Sequence, residues 1–285
     1  MAISSEIQAS AVFSVDKVKS TSTSSHEGVF FYLINYLQYG KIVRYTLSEV
    51  FFVVYAAVLA GGSGLRMGGD MPKQFLYVAD RPIIVRSIDA FLQSGSVDKV
   101  FVAVSEDYVG FTKELIAEYI GETDVSVVVG GKNRNETLLN VLHSIENVND
   151  DDVILTHDAV RPFIDKRIVD ENIAAAREYG ACNTVVPAVD TILRSTDGKF
   201  IESVPVRSEI FHAQTPQSFG VKKLLSLYEK LSDEETEKFT DACSVFLSAG
   251  ERVFLVTGDR NNIKLTYPED MERAENIIKC KEEKE

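Results

Sequence analysis

"VVYAAVLAGGSGLRMGGDMPKQF", residues 53–75, decides the fold. Its first eight residues are apolar or aromatic without a break, which is how a strand buried on both faces of a parallel sheet reads. The glycines that follow end the strand in a turn where main-chain N–H groups can approach a phosphate. Two well-known phosphate loops fail on this stretch. A dinucleotide fingerprint G-x-G-x-x-G started at Gly62 puts Met67 at its third glycine, and a P-loop started at Gly64 puts Asp70 where lysine belongs. What remains is a buried strand, a glycine turn, Arg66, and the tripeptide Pro72-Lys73-Gln74. Arg66 and Lys73 are placed to neutralise charge on a polyphosphate.

Outward from this strand the chain alternates. "IIVRSIDAFLQS" (83–94) predicts an amphipathic helix, "KVFVAVS" (99–105) a strand, and "YVGFTKELIAEYI" (108–120) a helix. "VSVVVGG" (125–131) reads as a strand ending in glycines, and "NETLLNVLHSIEN" (135–147) as a helix. "DVILTHDAVRP" (152–162) is a strand ending in polar residues, with a helix near 166–179. Such alternation predicts an α/β fold with a mostly parallel sheet and helices on both faces. Sites in such sheets lie at the carboxyl ends of the strands. The rhythm breaks over 183–212, where strand-like pieces flank a "TDGK" turn. That predicts a protruding β-hairpin arm, about 187–212, which must dock on something, such as a second subunit. Helices over 222–231 and 240–250, a strand over 252–258 and a last helix near 268–280 complete the pattern. Pro268 and an acidic first turn suit the start of that helix.

The chain has 285 residues, 43 of them acidic and 30 basic, for a net charge of −13. That argues against nucleic-acid or membrane partners, and any site for a polyanion must gather its own cations. Cys182, Cys243 and Cys280 form no C-x-x-C pair, and the four histidines have no metal-binding spacing. Reduced thiols in a cytoplasmic protein are the expected reading. Residues 1–28 are rich in Ser and Thr, a composition of disorder, and 29–39 read as an interfacial or packed helix. No apolar run there reaches the roughly 18 residues of a membrane helix. Residues 1–52 are expected to be an extension outside the catalytic fold, an appendage or a stretch translated from a mis-assigned start. Residues 53–280 form the catalytic domain and 281–285 a charged tail.

"LAGGSGLRMGGDMPKQF" (59–75) resembles the nucleotide loop of sugar-phosphate nucleotidyltransferases. "GGKNRNET" (130–137) and "HDAVRPF" (157–163) are similar to segments of the cytidylyltransferase branch. "VDT" (189–191), "HAQTPQSF" (212–219), "TDA" (240–242) and "NNIKLT" (261–266) follow in its order. The resemblance spans about residues 53–280 and implies a single Rossmann-like domain. "RPFI", "AVDTI" and "LSDEE…TDAC" are more similar to the ribitol 5-phosphate members than to the 2-C-methyl-D-erythritol 4-phosphate members. The latter usually read H-D-A-A-R-P. The first group would serve teichoic acid or capsule biosynthesis.

The resemblance implies roles for particular residues. Ala60, Gly61 and Gly62 line the nucleotide through their backbones, and Gly131 and Thr137 read the cytosine edge. Arg134 braces that loop or touches nucleotide. Asp158 and Ala159 lie beside the triphosphate, with Asp158 as a ligand for Mg²⁺ or another divalent cation. Arg66, Lys73 and Lys264 stabilise the reacting phosphates. Arg161, Thr191, Arg207, Thr215 and Thr240 contact the polyol phosphate, Arg207 coming from the second subunit of a homodimer. Lys132 stands where the methylerythritol members carry an acid. His157 is expected to be structural, because a phosphate nucleophile is already ionised. The implied reaction is attack of a polyol phosphate on the α-phosphorus of CTP, releasing pyrophosphate. A nucleotide-binding protein without catalysis is the contrasting reading, and the presence of Arg66, Lys73, Asp158 and Lys264 together argues against it.

Overall fold

The computed structural model describes residues 14–19, 30–38, 41–48, 52–62 and 71–283. The chain divides into two compact units, residues 1–51 and 52–285. In the first, β1 (Ser14–Lys19), β2 (Phe30–Gln38) and β3 (Lys41–Ser48) form an antiparallel sheet with β2 in the centre. The antiparallel register of β2 with β3 runs from Phe31–Ser48 to Gln38–Lys41. The helix expected over 29–39 is therefore a strand. Its aromatic-rich composition favours a pleated surface, and a short apolar run does not separate the two periods. Of the segment 1–28 expected to be disordered, residues 14–19 form β1, and 1–13 and 20–28 lie outside the described residues.

The second unit opens with β4 (Val54–Leu59). A short hairpin, β5 (Tyr77–Val78) and β6 (Arg81–Pro82), leads into α1 (Ile83–Ser94). Then follow β7 (Lys99–Val104), α2 (Val109–Tyr119), β8 (Val125–Val129), α3 (Arg134–His143), β9 (Val153–Asp158) and α4 (Lys166–Tyr179). After β10 (Ala181–Pro187) and β11 (Phe211–Gly220) come α5 (Val221–Tyr228), α6 (Asp233–Thr236) and α7 (Ala242–Ser248). The chain closes with β12 (Phe254–Thr257) and α8 (Glu269–Glu282). The seven-stranded sheet runs β12-β10-β11-β9-β4-β7-β8. Its pairs are parallel except those of β11 with β9 and β10.

Every residue of β4 is buried, and their alternation builds two cores. Val54, Ala56 and Val58 pack with Ile84, Val85, Ile88 and Phe91 of α1 and Val169 and Ala176 of α4. Tyr55, Ala57 and Leu59 pack with Leu138, Val141 and Leu142 of α3, Leu224 of α5 and Phe246 of α7. The period of two sends consecutive side chains to opposite faces, so one strand serves both helical layers. α8 closes a smaller cluster in which Ala274 and Ile278 meet Val160, Phe163 and Leu265.

Helix ends follow local chemistry. Asn133, Asp165 and Asp241 cap α3, α4 and α7 by accepting N–H bonds from Glu136, Ile168 and Ser244. Gly95 and Gly180 end α1 and α4 in the left-handed conformation. α3 stops at His143, short of the expected 147, and Asn147 has a φ of 54° that no helix tolerates. β10 and β11 form the base of the arm, and at its tip the antiparallel pairing is a single bridge, Arg194 to Ser203. Among the described residues no helix is long and apolar enough to cross a membrane.

From β4 the chain moves outward to β7 and β8, then returns across the sheet to β9 on the other side of β4. The carboxyl ends of β4 and β9 are therefore a topological switch point, where the two connections part and leave a crevice.

Candidate active site

A cavity of ≈ 740 Å³ opens at this switch point. Ala60, Gly61 and Gly62 line it from the end of β4, Asp158 and Ala159 from the end of β9, and Gly131, Arg134 and Thr137 from the start of α3. Lys73, Lys132 and Lys264 complete its charged wall. Among the described lining residues four are cationic and one, Asp158, is a carboxylate. In a chain of net charge −13 that is a local reversal of sign, the electrostatic signature of an anion site.

The glycine turn is held from outside itself. Gln74 Nε2 donates to the carbonyls of Ala60 at 2.7 Å and Gly62 at 3.1 Å. Gln74 and Lys73 belong to one 3₁₀ turn, Lys73–Phe75, so clamping the loop also fixes the lysine. Lys73 is 8% exposed, and its Nζ donates to the Leu265 carbonyl at 2.9 Å, beside Lys264. Arg66 lies outside the described residues.

Across the cavity, Thr137 Oγ1 accepts the Gly131 N–H at 3.0 Å and donates to the Asn133 carbonyl at 2.7 Å. Glu136 reaches back to the Lys132 N–H at 2.8 Å. A Cβ on Gly131 would stand 2.5 Å from Glu136 Cβ, so this loop closes only with glycine there.

Asp158 is the electrostatic centre. Its Oδ2 lies 2.8 Å from Lys264 Nζ and 3.8 Å from Arg161 Nε, and its Oδ1 lies 3.4 Å from Arg134. Burial alone would raise this carboxyl, but Arg134, Lys264 and Arg161 outweigh it and hold it well below the usual carboxylate range. Arg161 also donates to the Asn262 carbonyl at 2.7 Å and does not line the cavity.

Neighbouring His157 is fully buried. Its Nε2 lies 2.9 Å from the Arg161 carbonyl, an acceptor, so Nε2 carries the proton. Nδ1 then accepts from Thr215 Oγ1 at 2.9 Å, and the same oxygen accepts the Asp158 N–H at 3.1 Å. Burial drives the imidazole down to about 4, against the upward pull of the Arg161 carbonyl and Asp158. A neutral ring with both nitrogens engaged is a strut. Ser87 on α1 adds a further brace by donating to the Ala159 carbonyl at 2.8 Å.

The cavity thus gathers Ala60, Gly61, Gly62, Lys73, Gly131, Arg134, Thr137, Asp158, Ala159 and Lys264. Thr215 and Arg161 stand behind Asp158 as its supports. Thr191 and Arg207 are exposed on the arm, and Thr240 is exposed on the segment before α7. These three do not line the cavity. Ser87, and the bracing roles of Gln74 and Glu136 within the quoted motifs, are additions to the sequence reading. Their partners are backbone groups, which leave no trace in residue type. Among the described residues no three His, Cys, Asp or Glu side chains gather as a metal site.

The chain is similar to known proteins along most of its length. The family model of 2-C-methyl-D-erythritol 4-phosphate cytidylyltransferase (IspD) matches residues 54–280. A ribitol-5-phosphate cytidylyltransferase of Lactiplantibacillus plantarum is 44% identical over 230 residues, covering 79% of this chain and 98% of that protein. The crystal structure of 4-diphosphocytidyl-2C-methyl-D-erythritol synthase from Anaerococcus prevotii superimposes with a TM-score of 0.69 at 25% identity, over 80% of this chain and 96% of that one. The 2-C-methyl-D-erythritol 4-phosphate cytidylyltransferase of Francisella tularensis gives 0.67 at 26% identity, over 78% and 98%. A buried strand, a clamped glycine turn, a cation-rich cleft and a match along four-fifths of the chain converge: this protein belongs to the IspD family of cytidylyltransferases.

Proposed function

We propose that this enzyme transfers the cytidylyl group of CTP to D-ribitol 5-phosphate in the cytoplasm, giving CDP-ribitol and pyrophosphate. The observation that carries the reading is the cleft of four cations around one carboxylate, in a chain 44% identical to a ribitol-5-phosphate cytidylyltransferase. The methylerythritol acceptor is the less supported one, since the solved relatives named for it are 25% and 26% identical.

An oxygen of the ribitol phosphate attacks the α-phosphorus of CTP, and the bond to the β-phosphate oxygen breaks as pyrophosphate leaves. The attacking oxygen is already ionised, so no base is needed, and neutral His157 with both nitrogens bonded fits that economy. Catalysis then rests on positioning and charge stabilisation. Lys73, Lys264 and Arg66 neutralise charge on the phosphates. The Gly131–Thr137 loop reads cytosine, and the Ala60–Gly62 backbone holds the triphosphate. Thr240 belongs to the acceptor side, with Thr191 and Arg207 delivered by the arm, and Arg161 and Thr215 serve it through Asp158, which they support.

Asp158 fits a divalent cation of the magnesium type, which takes one or two carboxylates and completes its shell from substrate phosphates and water. When bound, such an ion neutralises phosphate charge and stabilises the leaving pyrophosphate.

The arm carries exposed apolar side chains, among them Leu193, Phe200, Ile201, Val204 and Val206, with Phe200 75% exposed. Apolar surface of that kind seeks cover, and a second copy of the chain supplies it in a homodimer. The catalytic unit is residues 53–280, with 1–52 an appendage.

Product identity tests the proposal. With CTP, Mg²⁺ and ribitol 5-phosphate, ³¹P NMR is expected to show pyrophosphate and an asymmetric diphosphate diester in equal amounts. CDP with inorganic phosphate would contradict it.

A further inference from the structure

Asn135 belongs to the same first turn of α3 as Arg134 and Thr137, yet its side chain serves a different segment. It is 3% exposed. Its Nδ2 donates two hydrogen bonds of 2.8 Å, to the carbonyls of Thr236 and Phe239, and its Oδ1 accepts from Tyr228 Oη at 2.8 Å. Tyr228, buried at the end of α5, thus satisfies the amide oxygen, while both N–H groups face the loop.

That loop needs a clasp. Residues 232–240 read "SDEETEKFT", and apart from Phe239 they have little apolar surface to bury. Among the described residues, the hydrogen bonds that join 232–240 to the rest of the protein are the two from Asn135. At the far end Asp241 accepts from Gln217 Nε2 at 2.9 Å and caps α7. Thr240 lies between these two anchors. A buried primary amide with both donors and its acceptor engaged fixes its partners' positions more sharply than burial can, because each bond lost leaves an unpaired polar group.

We infer that Asn135 is a positioning residue that sets the acceptor side of the site, holding Thr240 in place through residues 236–239 and tying it to the helical turn that carries the nucleotide-side residues. The inference rests on the reading of Thr240 as an acceptor contact. It assigns Asn135, through its two donors, to affinity for the polyol phosphate rather than for CTP. Both are reached from one turn of α3, so the same turn fixes the spacing between donor and acceptor.

The test compares Asn135→Ser, Tyr228→Phe and Thr240→Ala in the full-length enzyme. Asn135→Ser is expected to raise KM for ribitol 5-phosphate about tenfold, on the scale of one to two lost buried hydrogen bonds, while KM for CTP moves less than about threefold. Tyr228→Phe loses a buried hydrogen bond but keeps both clasp donors, so both KM values should hold within about threefold. Trypsin cleavage after Lys238 should quicken in Asn135→Ser and not in Tyr228→Phe. Equal rises in both KM values, an equal effect of Tyr228→Phe, or no effect of Asn135→Ser would each overturn the inference. If Thr240→Ala raises the acceptor KM and Asn135→Ser does not, the inference fails alone. If Thr240→Ala leaves it unchanged, the reading of Thr240 fails and takes the inference with it. Asn135→Asp, the same shape without the donors, replaces the serine variant should that fail to fold.

Discussion

Burying a lysine costs solvation unless partners meet it, and Lys73 meets the Leu265 carbonyl at 2.9 Å while facing the cleft. In the proposed reaction, a charge held so rigidly would need no reorganisation as negative charge builds on the α-phosphorus. Lys73→Ala is expected to cut kcat by about a hundredfold or more, the scale of losing one preorganised electrostatic donor. Turnover within a few-fold of normal at saturating substrates would remove Lys73 from that role. His157 gives a second prediction. Its folded value of about 4 lies below its ordinary 6.5, so between the two the unfolded chain binds more protons. Stability should therefore fall as pH drops from 6.5 towards 4, by at most about 3 kcal/mol from this residue, and level off below. Asp158, also depressed, adds its loss only below the ordinary carboxylate value of 3.8. Urea melts of metal-free enzyme between pH 7.5 and 4.5 should show the slope, and His157→Gln should flatten it. An unchanged slope in that variant would assign the proton uptake elsewhere. That Lys73, Arg134, Asp158 and Lys264 meet in one cavity was legible from motif and charge. The bracing roles of Gln74, Ser87 and Asn135 were not, because each acts on carbonyls 12 to 104 positions away, and such pairs leave no spacing.

β4 was readable because a strand buried on both faces has a run without polar interruption, and α1 because its apolar residues recur at helical spacing over Ile83–Ser94. The β2 strand was misread because an apolar, aromatic run satisfies either period. The "TDGK" turn predicted a longer hairpin than the single Arg194–Ser203 bridge. Strands at an arm's tip have little to bury against within one chain. The loop between β8 and α3 makes a prediction of its own. Gly131→Ala places a methyl 2.3 Å from Glu136 Cγ and 2.5 Å from its Cβ, which no rotamer of Glu136 relieves. A cost of about 1–3 kcal/mol is expected from such overpacking, seen in the urea midpoint, together with a higher KM for CTP. Wild-type stability and KM would show that the loop has room to shift.

At the scale of the molecule the sheet order sets the chemistry. Reversal between β4 and β9 opens the crevice, and the glycine turn and Asp158 fall on its two sides because each ends one of those strands. The strand–helix alternation made this much readable. It could not show how the proposed acceptor side is completed, since Thr191 and Arg207 stand on the arm and do not line the cavity. Phe200→Asp with Ile201→Asp on the arm should therefore shift the enzyme to monomers in sedimentation velocity and lower kcat/KM for the polyol phosphate. A dimer that survives the double substitution would place the interface elsewhere. The central claim is the transfer of cytidylyl to ribitol 5-phosphate. Its most direct test is pyrophosphate release with CTP and Mg²⁺, with ribitol 5-phosphate and 2-C-methyl-D-erythritol 4-phosphate assayed in parallel. A kcat/KM at least about tenfold higher for ribitol 5-phosphate is predicted, a modest demand on a site that must pair a substrate's hydroxyl groups. Equal use of the two, or preference for the methylerythritol phosphate, would contradict the account.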